Sequence, residues 1–145
     1  MNAPLYNSDI LRLAASIPHH QRLGLPQASV EKRSVTCGSR VVADVCVDTD
    51  GRVTDLGLEV RACALGQASA SLMARNALGK TAAELAAARD ALAEWLAGEG
   101  GDPDFWPGFA VIAPARGYPA RHPSIRLGFE AVAEAAAIAA GRTSP

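Results

Sequence analysis

No stretch of about 20 uninterrupted apolar residues occurs in this sequence, and even the alanine-rich tail is broken by Glu130 and Glu134; a membrane-spanning helix is excluded. Charge of one sign is equally absent. The 14 basic and 15 acidic side chains nearly cancel and are interspersed, so neither a phosphate backbone nor an anionic lipid surface finds a continuous footprint. The opening MNAPLYNSDILRL lacks the basic-then-apolar order of a secretory signal, and the expected location is cytoplasmic. Cysteine is sparse and odd in number. Cys37, Cys46 and Cys63 do not make a disulfide framework and suit a reducing compartment, where thiols stay free for metal or sulfur chemistry. A nucleophile elbow, a P-loop, a dinucleotide fingerprint and a His-Glu-x-x-His segment are all missing, so hydrolase and nucleotide chemistry have no anchor and no catalytic activity is expected.

What is present reads as one domain, residues 1–145, since about 100 to 200 residues make one hydrophobic core. Ile10, Leu13, Ala14 and Ile17 recur at helical spacing behind Asn7, Ser8 and Asp9 as candidate caps, and Pro18 stops the run. Residues 18–27, with two Pro and a Gly, are a loop. Three Val-rich runs, 28–36, 40–48 and 52–62, predict strands, and Asp50-Gly51 supplies a hairpin turn, so an antiparallel meander is expected. In the second run Val41, Ala43, Val45 and Val47 make one face apolar, and Arg40, Val42, Asp44 and Cys46 make the other mixed.

The period turns helical after Cys63, through Leu65, Ala68 and Leu72 up to Leu78, and ends at Gly79. Thr81 and Glu84 stand in the capping-box relation and open a second helix running to Gly98. Residues 98–108 are a Gly- and Pro-rich loop whose Phe105 and Trp106 are expected to pack back on the body. A final helix near 124–140 carries Ile125, Phe129, Val132, Ala136 and Ala139 as its core stripe. The fold class is α+β: a three-stranded antiparallel sheet with helices on one face.

Two cysteines stand at element ends. Cys37 is in the turn between the first two strands, and Cys63 is where the third strand becomes a helix. A thiol at a helix N-terminus faces unpaired N–H groups and the positive end of the dipole, which favours the thiolate, so Cys63 is the better nucleophile. Gly38 lets the backbone approach closely, and the two turns together can make a partly open thiolate site. Cys46, mid-strand, reads as a packing residue. His19 and His20 read as exposed loop residues, and His122 reads either as a further ligand or as an exposed residue near a helix cap.

The segments TCGSRV at 36–41, DGRVTDLGLEVRACAL at 50–65, ASAS at 68–71 and GKT at 79–81 resemble the NifU-like family of U-type iron–sulfur cluster scaffolds, whose SufE/NifU-like fold has this order of elements. Residues 98–117, followed by Tyr118-Pro119-Ala120-Arg121, are similar to the insertion of the Suf-type branch, and the Leu-Pro-Pro-Val-Lys chaperone element of the Isc-type branch is absent. The resemblance implies that Cys37 and Cys63 match the first two family cysteines, which ligate a cluster or zinc and accept sulfur, with Ser39 where the family has an aspartate and Ser124 where it has the third cysteine. A serine hydroxyl is a hard ligand that stays protonated near neutral pH, so a three-cysteine site is missing, and His122 is the candidate replacement. The cargo implied is an iron–sulfur cluster or iron, with zinc as the alternative and none if the site is degenerate. The implied partners are a cysteine desulfurase and recipient apoproteins. Three functions follow: a scaffold binding metal or cluster at Cys37 and Cys63, a persulfide acceptor using one thiolate, or a non-catalytic adaptor.

Overall fold

The computed structural model describes residues 6–35 and 38–143, with Arg142 and Thr143 as backbone only. The order is α1 (Ser8–Ala15), β1 (Ala28–Arg33), β2 (Arg40–Val47), β3 (Val53–Arg61), α2 (Ala64–Asn76), α3 (Ala82–Leu96), two 3-10 segments (Phe109–Gly117 and Pro119–Arg121) and α4 (His122–Thr143). The strands form one antiparallel meander in the order β1-β2-β3. No helix among the described residues is long and apolar enough to cross a membrane.

Local chemistry sets most boundaries. Asn7 caps α1 by accepting a hydrogen bond from the Ile10 amide at 3.0 Å, which satisfies a donor that the helix cannot. Thr81 and Glu84 make both reciprocal bonds of the capping box at the start of α3. Gly79 at φ +86° and Gly98 at φ +100° lie just past the ends of α2 and α3, in the left-handed region where glycine alone is unstrained. The strands are shorter than their apolar runs, and β1 ends at Arg33, beyond which the Gly38 amide donates to the Ser34 carbonyl. The last helix starts at His122, two residues earlier than its stripe suggests; Pro123 is tolerated because first-turn amides have no intrahelical acceptor.

Val41, Ala43 and Val45 of β2 are flanked in register by Val30 and Ala28 of β1 and by Val60, Leu58 and Leu56 of β3. All are buried. This face receives α4, α2 and α3 pack on α4, and α1 packs on α2, so the helices gather on one face of the sheet. Ile125, Phe129, Val132, Ala136 and Ala139 are all fully buried. Small residues bring α2 and α4 close: a Cβ on Gly128 would lie 3.5 Å from Ala70 Cα, and Ser69 Oγ donates to the Ile125 carbonyl at 2.6 Å.

The second face of the sheet is not left to water. Asp44, wholly buried, accepts from Arg22 Nε at 2.6 Å, Ser29 Oγ at 2.5 Å and the Leu23 amide at 3.0 Å. The outer edge of β3 is filled as well, since the Leu58 amide donates to the carbonyls of His19 and Gln21 and the Val60 amide to His20 Nε2. The loop 18–27 thus lies across the sheet, and Gly57 is the point of closest approach: a Cβ there would meet the Gln21 carbonyl oxygen at 2.6 Å.

Residues 98–117 close the opposite side of the helical layer. All three Phe and both Trp meet there: Trp106 packs edge-on to Phe129 at 5.1 Å, Phe109 to Phe129 at 5.7 Å and Trp95 to Phe109 at 5.9 Å. Trp106 Nε1 donates to the Leu72 carbonyl at 2.7 Å. Phenylalanine at 106 keeps most of the apolar contact and loses this bond, with an expected cost of about 1–2 kcal/mol in urea unfolding.

Candidate functional site

Arg33, Arg40 and Arg61 occupy one register row across the end of the sheet. The chain leaves β1, enters β2 and leaves β3 at this end, so Ser34, Ser39 and the Ala62-Cys63 step meet here. Two carboxylates offset part of its charge. Arg33 and Arg40 both bond Glu31, Arg40 also bonds Glu59, and Arg61 stands 4.0 Å from Glu59. The guanidinium of Arg33, and then that of Arg40, hold the Glu31 carboxyl below its usual range, and Arg40 does the same for Glu59.

Cys63 is the N-cap residue of α2 and half-buried, and its thiol makes no capping bond. It donates instead to Ser124 Oγ, 3.6 Å away on the first turn of α4. Ser124 Oγ lies 2.9 Å from Ser39 Oγ, and both serines are almost wholly buried. Three polar atoms, from the start of α2, from α4 and from Ser39 just before β2, therefore form one contact chain: thiol, hydroxyl, hydroxyl.

Gly66 makes the chain possible. A Cβ on this residue would fall on Ser124 Oγ and lie 2.8 Å from Ala62 Cβ. Sequence reasoning passed over Gly66. Its signal was a glycine in the first turn of a helix that otherwise favours small side chains with a Cβ, a choice that costs about 1 kcal/mol of helix propensity unless close packing requires it.

Other residues singled out in the sequence fall elsewhere or outside what is described. Cys37 lies outside the described residues. His122, at the start of α4, has Nε2 at 3.1 Å from the carbonyl oxygens of both Ala115 and Arg116. Those contacts require the proton on Nε2 and leave only Nδ1 for a ligand. Cys46 is on the sheet face turned from the helices, half-buried, with Sγ 3.5 Å from the Leu25 carbonyl. His19 and His20 are exposed and line the β3 edge.

The spacing at the site suits a metal better than its chemistry does. Two ligands of a tetrahedral zinc ion, one sulfur and one oxygen, stand about 3.5 Å apart, close to the Cys63–Ser124 separation. Two of the three donors, however, are hydroxyls, which neither ionise near neutral pH nor match a soft cargo. Among the described residues no group of three His, Cys, Asp or Glu side chains can hold a metal ion. The described donor set does not fit a cluster or a zinc ion.

No family model matches the chain. Individual proteins do. The N-terminal part of a nitrogen-fixing NifU-like protein from Brucella abortus is 42% identical and superposes with a TM-score of 0.88, over 95% of this chain and 96% of that one. The curated iron–sulfur cluster assembly scaffold protein IscU of Thermotoga maritima is 27% identical over 131 residues, 90% of this chain and 92% of its own. A scaffold protein for the SUF system from Fervidobacterium islandicum shares the fold, with a TM-score of 0.83 at 20% identity, over 91% of this chain and 96% of that one. With an α+β fold of this topology and 42% identity along nearly its whole length, the chain belongs to the NifU-like family of iron–sulfur cluster assembly scaffolds.

Proposed function

We propose that this chain serves iron–sulfur cluster assembly by receiving sulfur on Cys63, with Cys37 as its second thiol and a cysteine desulfurase as the donor. The observation that carries the reading is the surroundings of Cys63: a half-buried thiol at the N-terminus of a 13-residue helix, in contact with a hydroxyl. The helix start offers backbone N–H groups that no intrahelical carbonyl takes, and sulfur transfer needs one thiol and no ligand cage. Family membership supports the setting, delivery to recipient apoproteins, and a role as carrier in which the catalysis belongs to the partner.

A second reading is a cluster, iron or zinc held jointly by Cys37 and Cys63, the scaffold role in its full form. It is favoured by the ligand-like 3.6 Å separation of Cys63 Sγ and Ser124 Oγ. One experiment separates the two. Purified without oxygen and incubated with desulfurase and cysteine, the parent is expected to gain a sulfur atom by mass spectrometry and to lack stoichiometric metal. Cys63→Ser is expected to lose that sulfur. Metal near one equivalent in the parent, lost in Cys37→Ser or Cys63→Ser, would establish the second reading instead.

A further inference from the structure

The Ser39–Ser124 hydroxyl pair occupies the positions where this site's other donors stand, and three observations bear on what it does there. Both serines are almost wholly buried, 3% and 2% exposed, so their hydroxyls bond protein groups rather than water. Ser124 Oγ touches both Ser39 Oγ at 2.9 Å and Cys63 Sγ at 3.6 Å. Gly66 leaves room for it, because a Cβ at that position would displace it. A hydroxyl buried and bonded in this way can turn its proton. It accepts from Cys63 while the sulfur carries a hydrogen, and it donates when the sulfur is anionic, a hydrogen bond strengthened by the charge on its acceptor.

We infer that Ser39 and Ser124 are specificity-determining positioning residues that make Cys63 a holder of sulfane sulfur and deny it a divalent metal. The inference rests on the sulfur-receiving reading above. In the transfer the Cys63 thiolate attacks the outer sulfur of a donor persulfide. A sulfur–sulfur bond forms on Cys63, the donor's sulfur–sulfur bond breaks, and the donor cysteine leaves as its thiolate. Charge and electrons balance with no added oxidant or reductant. The persulfide formed on Cys63 passes its proton to the departing thiolate, and Ser124, backed by Ser39, donates to the persulfide anion that remains. The same hydroxyls hold a metal poorly, because each would have to lose its proton or bind as a neutral hard donor beside a soft thiolate.

Two substitutions change the donors: Ser39→Asp and Ser124→Cys supply, with Cys63, one carboxylate and two thiolates, the number of protein ligands that zinc needs when water takes the fourth position. The parent, this double variant, Ser124→Ala, Ser124→Thr and Cys63→Ser would be compared after far-ultraviolet circular dichroism shows that each is folded. Zinc alone is titrated against a chromophoric chelator, and glutathione persulfide is used to load sulfur, followed by mass spectrometry over time. The parent is expected to take up sulfur on Cys63 and no stoichiometric zinc, and the double variant to bind about one equivalent of zinc. Ser124→Ala is expected to lose its added sulfur several-fold faster than the parent, with Ser124→Thr recovering the lifetime.

A parent that holds one equivalent of zinc, a folded double variant that binds no more zinc than the parent, or a Ser124→Ala persulfide as long-lived as the parent's would each overturn the inference. Sulfur uptake that is the same in Cys63→Ser and in the parent would instead sink the sulfur-receiving reading on which it stands.

Discussion

Alanine at position 66 is expected to destabilise the chain by roughly 1–3 kcal/mol in urea unfolding, the usual range for forcing atoms into a packed site. Propensity predicts the opposite sign, because replacing glycine by alanine inside a helix ordinarily gains up to about 1 kcal/mol. The site decides in favour of sterics. The added methyl group would fall on Ser124 Oγ and press on Ala62 Cβ at 2.8 Å, so the hydroxyl must leave Ser39 and Cys63 or the two helices must part. A second substitution tests the cause. Ser124→Gly removes the atom with the worst overlap, so the pair Gly66→Ala and Ser124→Gly is expected to cost less than the sum of the two single changes. Simple additivity would show that the overlap is relieved elsewhere, because residues in direct contact couple and distant ones do not.

Asp44→Ala is the second large effect, expected at about 1–3 kcal/mol. It leaves the half-buried Leu23 amide without its acceptor, while the exposed Ser29 hydroxyl turns to water. The lost pair with Arg22 adds less, since that guanidinium is 46% exposed and returns to water. The pH dependence has a definite sign. Burial pushes the Asp44 carboxyl up, but the hydrogen bonds from Arg22, Ser29 and the Leu23 amide outweigh it and hold the group below its ordinary value. A carboxyl depressed in the folded state contributes stability that is fully present above its unfolded value, near pH 4, and is lost as the pH falls through the folded one. The parent should therefore lose stability below about pH 4 more steeply than Asp44→Ala. Parallel curves for the two proteins would remove Asp44 from that role.

Features governed by a few neighbouring residues were legible in the sequence. The capping box at Thr81 and Glu84, the Asn7 cap and the alternation in β2 state their structures directly, because the physics spans four residues or a strand's two-residue period. The course of residues 18–27 was not legible. Two prolines and a glycine mark a loop, but its course across the sheet rests on partners far apart in sequence, such as Asp44 with Arg22 and Leu58 with His19 and Gln21. The one clue was a carboxylate amid the valines of β2. Nor did the 3-10 segment Phe109–Gly117 announce itself, since Pro114 falls inside it and its Phe109, Ile112 and Ala115 recur every three residues rather than at the α-helical period. At the site, element ends drew attention to Cys63, and the family likeness drew it to Ser39 and Ser124. Their mutual contacts depend on how closely α2 and α4 approach, which is set by Gly66, Ala70 and Gly128 in three dimensions.

The covered edge of β3 bears on how this chain behaves when crowded. A meander of three strands has two open rims onto which a neighbour's backbone can graft and begin a fibril. Here one rim is already filled by the chain's own His19–Gln21 segment. The other, β1, carries Glu31, Lys32 and Arg33 in succession, charges that a stacked copy would have to strip of water. Fibril growth has no clean starting edge, so a concentrated preparation should stay clear until the 18–27 segment is cut or pried loose.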